Sequence, residues 1–352
     1  MTFDEALAAA SPADLQAREA AKRHWDSVAK PLGSLGLLES AVIDIAGMTG
    51  TSDVRLGRRA VIAMCADNGV VEEGVTQTGQ EVTAIVTENM SRGDSSVCNM
   101  GRIAGADVFP VDIGVARPVA GERIIQRNIR RGTRNMTKGP AMTRGEAVAA
   151  IETGIELVGE LKGQGYGIFA TGEMGIGNTT TSSAIVSVLL GVPASKVTGR
   201  GAGLSSEGLT RKVDAIERAV RLNAPDADDG LDVLAKVGGL DIAGLAGVYI
   251  GGAVHHVPIL IDGFISAAAA LAAAKICPAC LDYMLATHVS KEPAGRMVLD
   301  ALGKHPFIYA EMCLGEGTGA VAAIPMLDMA LAVYHNMSTF EDIKIEAYTP
   351  QK

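Results

Sequence analysis

Five short runs of apolar residues recur along the chain, and the residues around their ends are polar or glycine-rich. Ala60 to Ala66 stops at Asp67-Asn68-Gly69. Ala106 to Asp112 ends at Ile113-Gly114, and Tyr166 to Ala170 opens into Thr171-Gly172-Glu173-Met174-Gly175-Ile176-Gly177-Asn178. Val257 to Asp262 precedes Gly263, and Tyr283 to His288 is the fifth run. Runs this short and this apolar predict strands buried on both faces. Between them, Thr180 to Leu190, Glu207 to Leu222 and Leu231 to Val237 have helical spacing. The alternation predicts an α/β fold: a Rossmann-like parallel sheet covered by helices. Thr2 to His24 and the segment after about Asp328 read as purely helical. They predict a small helical subdomain, residues 1–35 with 328–352, beside a large α/β domain of residues 36–327. Ligands of such sheets bind outside the carboxyl ends of the strands, so the polar turns collected there are the place to look for chemistry.

Composition narrows the choice. Of 352 residues 48% are apolar but only 4% aromatic, so the core is aliphatic, and 42 glycines permit close backbone contacts. A net charge of -9 argues against nucleic acid and anionic membrane as partners, because both need a basic surface. A local anion site built from backbone N–H groups stays open. Among five cysteines only Cys277 and Cys280 form a CxxC, with no second pair or nearby histidine to complete a zinc site. They read as small residues near a helix end in a reducing compartment. The N-terminus lacks the basic start and apolar centre of a signal peptide, and Phe264 to Ala274 is too short to span a bilayer. These features predict a cytoplasmic protein.

The run Leu314-Gly315-Glu316-Gly317-Thr318-Gly319 places one carboxylate between glycines just before an apolar helical stretch, Ala320 to Ala332. A glutamate on a turn feeding a helix can serve as a general base; it can equally do no more than complement the helix dipole. Gly172 to Thr181 follows a strand and starts a helix, and its glycines suit a phosphate, with Gly175, Asn178, Thr179 and Thr180 as candidates. Its spacing matches neither a dinucleotide fingerprint nor a Walker A loop. A second glycine-rich loop, Gly199 to Ser205, contributes Gly201 and Gly203, with Lys212 on the next helix as a point charge. Without the first loop, an ordinary solvated loop would be the better reading. Asp67, Asp112 and Asp262 sit at strand ends and read as turn carboxylates, Asp67 also as a substrate ligand. The six histidines show no ligand spacing, and the adjacent His255 and His256 read as structural or surface residues.

Together these segments resemble the nicotinate-nucleotide:dimethylbenzimidazole phosphoribosyltransferase family. The resemblance covers nearly the whole chain: Lys30 to Gly36, Gly74-Val75-Thr76, Val82 to Ile85, Gly139 to Met142, Gly172 to Thr180, Lys212-Val213-Asp214, Lys236 to Asp241, Leu260 to Phe264 and Leu314 to Gly319. It implies transfer of phosphoribose from nicotinate mononucleotide to an aromatic base, with inversion at C1′ and release of nicotinate. Nicotinate carries a pyridinium charge and leaves readily, so the protein must supply positioning and removal of the acceptor proton. By resemblance Glu316 is that base, and Glu173 lies near the ribose, where it would stabilise charge at C1′. The two glycine loops, Lys212 and Ser290 hold the 5′-phosphate, and Asp241 belongs to the nucleotide site. Pro31, Asp67, Thr78, Val86 and Leu314 belong to the acceptor site. Nicotinate mononucleotide is a substrate, so neither cofactor nor metal is implied.

The departures concern the acceptor. Benzimidazole-using members commonly read Asp-His-Gly-Val where this chain has Asp67-Asn68-Gly69-Val70, carry a glutamine where it has Val86, and a serine where it has Thr78. A more apolar pocket would suit a phenol, which some relatives use, a subset of them as heterodimers of paralogous chains; the alternative is a benzimidazole or purine user with a shifted pocket. The implied partners are therefore small molecules and either a second copy or a paralogous chain. A non-catalytic support subunit is the alternative, although it has no need of Glu316 in an intact Gly-Glu-Gly-Thr-Gly run. A sugar-nucleotide hydrolase of similar fold would share the glycine loops without explaining the matches near Pro31 and Asp241.

Overall fold

The computed structural model describes residues 1–349. Six strands form one parallel sheet: β1 (Arg58–Ala66), β2 (Ala106–Gly114), β3 (Ile125–Gln126), β4 (Tyr166–Met174), β5 (Ile259–Ile261) and β6 (Met284–Ala286). Their order is β3-β2-β1-β4-β5-β6, so the direction of winding reverses between β1 and β4. The expected α/β architecture is thus present, with its strand ends displaced. Strand β4 continues to Met174, where the sequence pattern stops it at Ala170, because its glycine-containing second half still pairs with β1 (Met64 with Glu173). Val257 to Asp262 and Tyr283 to His288 shrink to three-residue strands. The pattern gives no sign of β3, whose two residues pair only with Val111 and Asp112. Pro110 is tolerated in β2 because β3 does not reach it, leaving no ladder bond on that side for proline to break.

Helices cover the sheet. The first are α1 (Phe3–Ala9), α2 (Leu15–Ser27), α3 (Leu37–Thr49), α4 (Glu81–Arg92), α5 (Ser96–Ala104), α6 (Arg144–Gly163) and α7 (Asn178–Leu190). They are followed by α8 (Ala194–Val197), α9 (Ser206–Asn223), α10 (Gly230–Val237), α11 (Leu240–His255), α12 (Phe264–Ile276), α13 (Gly295–Ala301) and α14 (Thr318–Asn336). Helix α11 is buried from Leu240 to Ala253 and lies against α6. The approach is close because glycines face across it: a methyl on Gly154 or Gly247 would strike the opposing backbone. Cys277 caps the end of α12, and Cys280 is buried in the short 3-10 turn that follows.

The N-terminal helix ends at Ala9, where Ala10 turns extended, and the segment restarts past Pro12 where the Asp14 side chain accepts from Gln16 and Ala17 N–H. The C-terminal segment is not purely helical as expected. Met337 turns extended and ends α14, and residues 337–349 continue as turns. The two ends of the chain meet: Val28 bridges Thr339, and the His24 ring bonds the Tyr334 carbonyl at 2.7 Å. Residues 350–352 of the expected helical subdomain lie outside the described residues. Among the described residues α14 is the one helix long and apolar enough to cross a membrane, and just over half of its most apolar stretch is buried inside the fold.

Candidate active site

A cavity of about 320 Å³ opens at the carboxyl ends of β4, β5 and β6. Strand β4 delivers Glu173, the turn after it delivers Gly175, and the first residues of α7 deliver Asn178 and Thr179. Gly201, Ser290, Leu314 and Glu316 also line it, as does Val86 from α4. Three acceptor candidates fall outside this lining. Pro31 is exposed on the turn before α3, Thr78 is exposed before α4, and Asp67 is buried with its Oδ2 accepting from Ala116 N–H at 2.8 Å. Asn68 is likewise buried, its Oδ1 facing the Thr181 hydroxyl beneath the turn that starts α7. Gly203 binds Gln77 through its carbonyl at the rim of the second loop.

Glu316 occupies a constrained turn. Its φ of 62° lies between those of Gly315 (88°) and Gly317 (99°), three left-handed residues in a row. For a residue with a Cβ that conformation costs roughly 1–2 kcal/mol. The turn seats the Glu316 carbonyl against Gly172, where any side chain would collide with it. Glu316 Oε2 accepts the Val97 N–H at 2.9 Å, in the first turn of α5. The glutamate therefore complements a helix dipole as its position suggests, but that of a second helix. Its Oε1 accepts no hydrogen bond from the described residues and remains able to take a proton.

Beneath it lies Asp262, which the sequence pattern assigns to a local turn. It instead caps a helix more than fifty residues away. Oδ2 accepts the N–H of Gly317 at 3.2 Å, and Oδ1 those of Gly319 and Ala320 at 2.7 and 3.0 Å. Burial pushes its carboxyl up, while His288 and the N–H groups of Ala320, Gly263 and Gly319 oppose the rise. His288, one of the histidines without ligand spacing, is buried in the cavity wall with its ring against Gly319, where a methyl would run into it. Asp112 does behave as a turn carboxylate, accepting Val115 N–H at 2.9 Å.

Glu173 is pushed up to about 8, first by burial and then by the carboxylate of Asp241. At neutral pH it therefore holds its proton. Asn178 Nδ2 bridges the pair, donating to Glu173 Oε2 and, at 3.1 Å, to Asp241 Oδ2. Asp241, fully buried at the start of α11, is itself raised to about 6 by burial.

The anion-binding candidates gather around the N-terminus of α7, which begins at Gly177 with no side-chain cap. Lys212, fully buried on α9, donates to Thr179 Oγ1 at 2.7 Å and to the Gly199 carbonyl at 3.1 Å, directly behind Gly201. Burial pushes its ammonium down to about 8 against the pull of Glu292. Thr180 is buried one residue further into the helix, its hydroxyl without a partner among the described residues. An uncapped helix start, a buried lysine and the Ser290 hydroxyl together suit a phosphate. The start of α14 is already occupied by Asp262.

The chain has known relatives. The family model described as DBI_PRT, phosphoribosyltransferase, matches residues 10–345. A nicotinate-nucleotide–dimethylbenzimidazole phosphoribosyltransferase from Ruminiclostridium cellulolyticum is 48% identical over 350 residues, covering 99% of both chains. One from Acetivibrio thermocellus is 51% identical over 330 residues, 94% of each. The crystal structure of CobT from Thermus thermophilus superposes with a TM-score of 0.89 at 38% identity, covering 95% of this chain and all of that one.

Proposed function

The chain belongs to the nicotinate-nucleotide–dimethylbenzimidazole phosphoribosyltransferase family, and from that premise we propose that its cavity transfers phosphoribose from nicotinate mononucleotide to an aromatic acceptor with Glu316 as general base. It is a pentosyltransferase by family. The observation that carries the reading is the Glu316 carboxylate, one oxygen anchored on Val97 N–H and the other left to take the acceptor proton. In this reading Thr179, Gly201, Ser290 and the ammonium of Lys212 hold the 5′-phosphate at the start of α7. The acceptor attacks C1′ from the face opposite nicotinate, with inversion, as its N–H or O–H proton passes to Glu316. Nicotinate departs with the electron pair of its glycosidic bond and loses its pyridinium charge. Glu173 enters protonated; the positive charge of the nucleotide favours release of that proton to solvent through the cavity it lines, which leaves a carboxylate to face C1′. The reaction calls for no cofactor.

Val86, Met174, Ile176, Ile265 and Leu314 give the cavity an apolar lining suited to a flat ring. Val86 favours a second reading of the acceptor, a phenol joined through oxygen. We propose a working dimer, with a second copy or a paralogous chain.

The test supplies nicotinate mononucleotide with dimethylbenzimidazole or phenol in separate reactions and identifies the riboside phosphate by mass spectrometry. An N-linked product alone makes Val86 incidental, and an O-linked product ties the apolar lining to phenol. Glu316→Gln is expected to keep the fold and lose about 10²- to 10⁴-fold in turnover, the usual worth of a positioned base. Near-normal turnover in that variant removes Glu316 from the mechanism.

A further inference from the structure

The turn carrying Glu316 has two properties that work against each other. Three consecutive left-handed residues require glycine on both sides of the glutamate, so Gly317 stands at the N-cap of α14 and offers no side chain to the helix N–H groups. Ser, Thr, Asp or Asn at that position would supply the side-chain acceptor that glycine lacks. Here the missing acceptor arrives from β5, through the Asp262 carboxylate that takes three of those N–H groups.

Asp262 is itself firmly seated. Its N–H donates to Ser266 Oγ at 3.1 Å, and Ser266 is bonded to the Tyr249 hydroxyl at 2.6 Å and to Thr171 at 2.5 Å. All four residues are buried. On its far side the His288 ring fills the space against Gly319. A strained residue persists only where its surroundings over-determine it, and Asp262 is the group that binds both ends of the strained segment's exit into the helix.

We propose that Asp262 is the positioning residue for Glu316: by accepting the N–H groups of Gly317, Gly319 and Ala320, its carboxylate fixes the left-handed turn and thereby the place of the base. The inference rests on the reading of Glu316 as the general base. Asp262 lines the cavity, so a direct contact with the nucleotide is the competing role, and that role acts on KM. Positioning acts on kcat, because a displacement of about 1 Å in a reacting group costs on the order of 10²-fold while leaving binding intact.

The experiment compares Asp262→Asn, Glu316→Gln and the double variant in the full-length protein, with circular dichroism and thermal melting to confirm folding. The carboxamide keeps the shape of the aspartate but loses an acceptor. Asp262→Asn is expected to lower kcat by about 10- to 100-fold with KM for nicotinate mononucleotide within about threefold. The double variant is expected to be no slower than Glu316→Gln, since a base already lost cannot be misplaced. Unchanged kcat in Asp262→Asn, a loss expressed in KM alone, or a double variant that multiplies the two losses overturns the proposal. Near-normal turnover of Glu316→Gln overturns the underlying reading; a slow Glu316→Gln beside a fast Asp262→Asn overturns only the role of Asp262. If Asp262→Asn does not fold, Asp262→Ser, a capping residue of smaller reach, is read by the same criteria.

Discussion

Raising the pH through 8 should switch off phosphate capture before it harms the fold. Lys212 is buried behind Thr179 and Gly201, with its ammonium pushed down to about 8 from an ordinary 10.5. About nine in ten of these side chains are charged at pH 7 and about one in ten at pH 9. A phosphate monoester loses its second proton near pH 6, so the ligand itself stays doubly charged across that range. The value of kcat/KM for nicotinate mononucleotide should therefore fall by about tenfold per pH unit above 8, since this ratio reports ionisations of the free enzyme. Glu173, also near 8, titrates in the same window. Nicotinate riboside, which lacks the phosphate, separates the two: it keeps any limb due to Glu173 and loses the one due to Lys212. Stability moves the other way. The folded state favours neutral Lys212, so the unfolded chain binds more protons between about pH 8 and 10.5. The penalty of burying the charge, roughly 3 kcal/mol at most, is relieved as pH rises through that window. Activity lost to Lys212 is thus lost without help from unfolding. A flat profile from pH 7 to 10, or an equally steep limb with the riboside, would refute the assignment of Lys212 to the phosphate.

Glu173 supplies a prediction about stability. Its carboxyl is raised from 4.5 to about 8, so the folded state holds a proton that the unfolded chain releases. That contribution, about 5 kcal/mol as an upper figure, is full below about pH 4.5 and is lost as pH rises towards 8. The wild-type melting temperature should decline over this interval, and Glu173→Gln should flatten the decline; parallel curves would show that Glu173 is charged throughout. Gly172→Ala places a methyl against the Glu316 carbonyl. Overpacking of this kind costs about 1–3 kcal/mol, and the displaced base should cost kcat on the order of 10²-fold. Steady-state kinetics with denaturant melts would check both, and unchanged kcat would show that the turn tolerates the shift.

What could be read from the sequence, and what could not, follows from how each feature arises. Strand cores announce themselves through unbroken apolar residues, so β1 and β4, buried along most of their length, and the buried second half of β2 stand where the pattern puts them. Glycine runs mark places where the backbone must do something a side chain forbids, so Gly315-Glu316-Gly317 and the turn into α7 are visible without coordinates. The partners of those segments are different. That Asp262 caps α14, that Val97 N–H anchors Glu316, and that His288 packs on Gly319 all depend on which strand ends the sheet order makes neighbours. No spacing along the chain encodes that adjacency, since β5 and α14 are separated by the whole of α12, β6 and α13. The same logic governs the acceptor candidates. Val86 and Leu314 reach the cavity from two segments that the fold brings together, whereas Pro31 and Thr78 lie on exposed turns outside its lining. If those two residues touch acceptor at all, the contact needs a rearranged loop or a neighbouring chain. Comparing Pro31→Ala in dilute and concentrated enzyme would separate the two routes, because only contact across a partner weakens on dilution.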